Sequence, residues 1–216
     1  MGLLVTGAGQ SLFNPDSLPS LVAPLRAFIP PFPSTNSLDP VFEDANLRHT
    51  LLTCDVDSLE EVCELLESLT ADVEDVRLSL ARGVSFPEEH GGQSCLLQML
   101  SFVEYGDFPS VWTTFASDIP PQELVRWHKL VETCKTAVIK AIVETAGEER
   151  NLEVLWDISE AEQGEGFVSR MVGWLKNSLT APPSEARDDL VICSSLSLGN
   201  LVRRGKLTIS RYPHIC

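Results

Sequence analysis

The stretch 183–204, PSEARDDLVICSSLSLGNLVRR, constrains the chain more than any other. Pro183 and Ser184 suit a helix start, and Asp188 and Asp189 follow in turns where the helix dipole favours negative charge. Leu190, Cys193, Leu196 and either Leu198 or Gly199 recur at three- and four-residue steps, and Leu201 extends the row. The spacing predicts an apolar stripe on a helix too long and too rich in small residues for an ordinary surface helix. Ser194, Ser195, Ser197 and Gly199 are small enough to let a neighbouring helix come close.

Other helical rows precede it. Ser58 with Glu61 reads as a capping box that starts a helix near Asp57, with Leu59, Val62, Cys63, Leu66 and Leu69 inward and Glu60, Glu64 and Glu67 outward. Asp72 reads as the cap of a second helix, with Val73, Val76, Leu80 and Ala81 inward and Gly83 as its stop. Residues 84–92 read as a loop. An apolar segment follows at 93–105, ended by Gly106, and a short amphipathic piece at 108–116. Pro120-Pro121 opens a long helix over about 122–145, stopped by Gly147, and further helices are expected at about 148–158 and 167–179. Residues 1–46 hold seven prolines and read as a mostly irregular leader, with one short helix at 18–29 kinked at Pro24; residues 205–216 fit no pattern and read as an unstructured tail. Setting Cys134 on Cys193 aligns the two long helices 59 residues apart, and Cys95 lies 39 residues before Cys134; against repeat units of about 40–47 residues the shorter step fits and the longer one needs an insertion, so the internal repeat is weak.

Composition limits the function classes. Hydrophobic content of 44% supports a packed core, and aromatics at 7% with apolar positions mostly Leu, Val and Ala favour helix-on-helix packing. The formal net charge of −15 argues against nucleic acid and against an anionic membrane surface, and it suits a basic partner or plain solubility. No apolar run is long enough to span a membrane. Met1-Gly2 with Thr6 matches only the loose myristoylation pattern. The six cysteines form no C-x-x-C pair and mostly fall in apolar rows, so they read as buried thiols of a cytosolic protein rather than a disulfide framework or metal site. The opening LLVTGAGQS imitates a dinucleotide-binding turn, but Leu12 stands where the third glycine belongs and no βαβ pattern follows. No G-x-S-x-G or H-E-x-x-H spacing occurs, and no cofactor is expected.

The charge is uneven. Residues 51–110 hold thirteen acids against two bases, a net of −11, whereas 161–216 hold five acids and seven bases. Glu60, Glu64, Glu67, Asp72 and Asp75 are therefore candidate partner-binding residues for a Lys/Arg-rich segment, a merely soluble N-terminal cap being the plainer alternative. Asn200 is a further candidate, with a polar residue near a helix end as the alternative.

The end of the opening stretch, Leu198-Gly199-Asn200-Leu201-Val202-Arg203, resembles the third helix of an armadillo repeat. More narrowly, "DL.ICSSLSLGNL.R" is similar to helices of the armadillo-type small-GTPase GDP-dissociation stimulators, the smg GDS family. The resemblance covers about twenty residues closely and about 50–204 at the level of helix pattern. It implies an all-α, armadillo-like solenoid over 47–204, a short right-handed superhelix. It also implies a cytoplasmic, non-enzymatic binder of small GTPases of the Rho/Rap type, whose acidic groove engages their basic, prenylatable C-terminal tails and which stimulates GDP dissociation. In armadillo proteins that hold extended peptides an Asn at the place of Asn200 bonds the ligand backbone, whereas Ala141 takes the aligned place in the preceding long helix. The alternative is a generic armadillo scaffold. The odd last residues lead to the expectation of a truncated, fungal-type or otherwise divergent member, whose transcript reads on past Arg204 into further helices.

Overall fold

The computed structural model describes residues 13–32, 44–88, 91–109, 112, 119–156 and 166–211. Among them every extended element is a helix, and one antiparallel bridge joins Ser85 to Ser94. The helices are α1 (Leu18–Val22, between 3-10 turns at Pro15–Ser17 and Ala23–Phe28), α2 (Ala45–Asp72), α3 (Glu74–Ala81), α4 (Cys95–Tyr105), α5 (Pro121–Gly147), α6 (Leu152–Trp156), α7 (Phe167–Thr180) and α8 (Asp188–Arg211). They pack on one another around a single apolar cluster.

The long helix α5 lies at the centre, packed by α2, α4 and α8. Its buried positions include Val131, Cys134, Val138 and Ile142 in one row and Ala137, Ile139, Ala141 and Ala146 on other faces. A helix apolar over so much of its circumference needs neighbours on several sides. From Thr133 onward only a strip with Thr133, Thr136, Lys140 and Glu144 faces water, whereas before it Val125, Arg126, His128, Lys129 and Glu132 are exposed as well. The contacts rise together along α2 and α5: His49 with Glu123, Cys63 with Cys134, Glu67 with Lys140. The two helices are therefore parallel. The same holds for α5 and α8, where Lys135 acts on Asp189 and Val143 meets Asn200.

The starts and stops have local causes, and several differ from the sequence expectation. Helix α2 begins not near Asp57 but at Ala45, where the Asp44 carboxylate accepts from the Asn46 and Leu47 amides at 2.8 and 3.1 Å. Ser58 and Glu61 stand inside it, because Leu52 and Val56 carry the Leu59–Cys63–Leu66 row one more stretch back into the core. Asp72 caps nothing: it is the last residue of α2, and the extended backbone of Val73 makes the break to α3. Gly83, at φ +78°, does end α3; its N–H donates to Leu80 O and the Val84 N–H to Ser79 O, the paired bonds of a left-handed helix stop. Ser94 caps α4 through a 3.1 Å bond from the Leu97 amide.

The leader is partly core. Leu18, Val22, Leu25 and Phe28 are at most 1% exposed, and their turns pack on α2 and α4. At the other end Pro183 and Ser184 form a separate 3-10 turn, and α8 starts at Asp188 and runs through part of the expected tail to Arg211. Its buried row is Leu190, Cys193, Ser194, Ser197 and Leu201, while Leu196 is 53% exposed and a methyl on Gly199 meets nothing within 4 Å. Ser194 and Ser197 thus sit in the close approach; Ser195 and Gly199 do not. Cys54 and Trp156 are also exposed rather than core. The 1–12 opening, most of 108–116 and residues 212–216 lie outside the described residues; of the 108–116 piece, Phe108 and Trp112 are described and buried.

Three arginines join the helices. Arg77 of α3 donates to Thr70 O and Ala71 O at the end of α2 and to the Glu148 carboxylate just past α5. Arg187 donates to Val103 O and Glu104 O at the end of α4 and clamps Asp189. Arg170 of α7 reaches Glu104 at 2.7 Å. A cation at a helix C-terminus bonds carbonyls the helix leaves open and has the right sign for its dipole.

Replacement Glu148→Ala leaves the largely buried Arg77 guanidinium without its counter-charge and is expected to cost about 3 kcal/mol, read as a lower urea midpoint with an unchanged slope. Gly199→Ala is expected to stabilise by about 0.5–1 kcal/mol, since a helical glycine with open space around its Cβ gains only helix propensity; a thermal scan checks it.

Candidate functional site

Helix α2 is what assembles the acidic side chains. Leu59, Cys63 and Leu66 are at most 1% exposed and turn one face to the core, so Asp57, Glu60, Glu61 and Glu64 at the complementary positions face water. Glu60, Glu64 and Glu67 edge a groove of about 410 Å³ between α2 and α5, whose other wall carries Thr133, Thr136 and Lys140. Cys63 and Cys134 form its floor. Lys140 Nζ lies 2.6 Å from Glu67 Oε1, and among the described residues no cation pairs with Glu60 or Glu64. The groove is thus an open carboxylate wall with one internal lysine already seated against its far end.

The other candidates do not join this wall. Asp72 and Asp75 are exposed at the α2–α3 corner, and Asp72 is about 18 Å along the helix from Glu60 at the usual rise of about 1.5 Å per residue. Asn200 is on α8, which packs on α5 through a different face from α2. Its Nδ2 donates to Val143 O at 3.2 Å and its Oδ1 accepts from Arg203 at 3.3 Å, so the amide serves the α5–α8 packing. Gly147 gives it room: a Cβ there would stand 3.3 Å from Asn200 Nδ2. Lys140 and the two threonines carry no local sequence signal, because their place opposite the acids depends on a pairing 73 residues apart.

The remaining electrostatics are structural. Burial would raise Asp189, but the hydrogen bonds and charge of Arg187 outweigh it and hold the carboxyl below its ordinary range. Burial raises Asp55, which has no cation beside it among the described residues. Burial pushes the Cys95 thiol up to about 11 and the Cys193 thiol up to about 12, and the Cys63 thiol is raised first by its hydrogen bond with Cys134 and then by burial. None of these three supplies a thiolate nucleophile at neutral pH. Among the described residues no group of three His, Cys, Asp or Glu converges as a metal site, and no helix there is long and apolar enough to cross a membrane. A second hollow, of about 540 Å³, lies between the α1 turns and 84–87, with Asp16 and Arg26 in its walls and Arg26 over the Phe86 ring.

Asp55 yields a pH test. A carboxyl whose folded pKa lies above its unfolded value opposes folding when ionised, and that opposition disappears as pH falls through the raised folded value. Asp55→Asn is therefore expected to raise Tm at pH 7, with the gap to the parent closing towards pH 4, measured by calorimetry across that range.

No protein-family model matches the chain, no curated protein matches it and no solved structure matches it.

Proposed function

We propose that this chain is a non-enzymatic binding protein of armadillo-like repeats that takes the basic C-terminal tails of Rho/Rap-type small GTPases along the α2 acid face. The observation that carries the reading is the row Asp57, Glu60, Glu61 and Glu64 beside Glu67, exposed together along one helix over a groove, in a segment of net charge −11. A lysine-rich tail laid along it meets carboxylates at successive turns, and Lys140 imitates one of its contacts. The repeat reading is supported by the parallel α2, α5 and α8. It is supported again by the 59-residue offset, which sets Val131 on Leu190, Cys134 on Cys193, Lys135 on Ser194, Val138 on Ser197 and Ile142 on Leu201, all ten buried. The engagement of Asn200 with Val143 favours a tail held by charge rather than by a ladder of asparagines. Stimulation of GDP release is the family's activity, and the acid face bears on tail capture alone.

A second reading, a general docking scaffold, is favoured by α8, where Ile192, Leu196 and Val202 are all more than two-fifths exposed. Binding measured with GTPases bearing and lacking their polybasic tails separates the two. The first reading expects tail-dependent affinity that falls steeply with salt. It expects Glu60→Gln, Glu64→Gln and Glu67→Gln together to weaken binding about tenfold, each exposed charge contributing about 0.5 kcal/mol. Equal binding of tailed and tail-less GTPases, or no binding at low salt, overturns it.

A further inference from the structure

We propose that Cys63 and Cys134 are a modification site: two thiols that hydrogen peroxide converts into a reversible disulfide stapling α2 to α5. The inference does not depend on the GTPase reading.

Three observations converge on this pair. The two side chains belong to different helices, yet both line one groove and the Cys134 thiol acts on that of Cys63. They face each other because α2 and α5 are parallel and in register, held above by His49 with Glu123 and below by Glu67 with Lys140. They also line the floor of the 410 Å³ groove at 1% and 3% exposed, so a small polar oxidant entering the groove comes up against them. No other described cysteine combines these features. Cys54 is exposed, while Cys95 and Cys193 are buried thiols whose named neighbours carry no sulfur.

The chemistry balances with the peroxide as oxidant. Cys134 Sγ, having lost its proton, attacks the peroxide O–O bond, which breaks; one oxygen stays as a sulfenic acid and the other leaves as hydroxide, taking up that proton to give water. Cys63, still a thiol, then attacks the sulfenic sulfur and gives up its proton as it does so. The S–S bond forms, the S–O bond breaks, and the departing hydroxide leaves with the Cys63 proton as a second water. Two electrons pass from the sulfurs to the peroxide oxygens. The cross-link closes a loop of some seventy residues across the α2–α5 interface, which restricts the unfolded chain and fixes the spacing between the acid wall and Lys140.

The test uses the full chain carrying Cys54→Ser, which removes the exposed competitor. After hydrogen peroxide, alkylation under denaturing conditions and tryptic digestion, the peptide carrying Cys63 is expected joined to the one carrying Cys134, two hydrogens lighter than their sum. The thermal midpoint is expected to rise and to return to its starting value with dithiothreitol. Recovery of both cysteines as alkylated thiols, at a peroxide dose that oxidises Cys54 in the parent, overturns the proposal. So does a cross-link that forms only in urea. Neither readout requires a core substitution to fold.

Discussion

The burial of the second half of α5 on nearly all its sides is the constraint on which the rest depends. A helix with the row Val131, Val138 and Ile142 on one face and Ala137 and Ile139 on others is stable only when its neighbours are already in place. Two of those neighbours, α2 and α8, run parallel to it, so helix ends of like sign gather at the same level. Arg77 answers this at one end: it bonds the last carbonyls of α2 and neutralises Glu148 beside the end of α5. Arg187 repeats the device between α4 and the start of α8.

The acid face is a by-product of the same packing. Once α2 commits Leu52, Val56, Leu59, Cys63 and Leu66 to the core, its other face turns outward, and Asp57, Glu60, Glu61 and Glu64 are on it. The polar strip of α5 then lies opposite them and contributes Lys140. The groove, its charge and its thiol floor therefore arise from one interface. A change that shifts the register of α2 on α5 alters all three at once.

Local signals were legible where a residue's role is set within one turn. Gly83 as a helix stop, Gly106 after α4, Pro121 at the start of α5 and the inward row Leu59–Cys63–Leu66 all follow from spacing and backbone preference. Signals that compete were not. The Ser58 and Glu61 pattern satisfies a capping box, yet the core contacts of Leu52 and Val56 extend the helix through it. Hydropathy places the α8 stripe one position astray at Leu196, because Ser194 and Ser197 carry the buried face and rank below leucine.

From its residues alone the chain was bound to be helical, acidic at one end and apolar along several long rows, since periodicity and charge are properties of the covalent sequence. Tertiary structure decided which acids share a surface: Glu60, Glu64 and Glu67 meet Lys140 across a groove, whereas Asp72 and Asp75 stop at a corner and Asn200 turns its amide to Val143. The reason is distance. Contacts between residues tens of positions apart exist only once helices have packed, and no local spacing encodes the register in which they do.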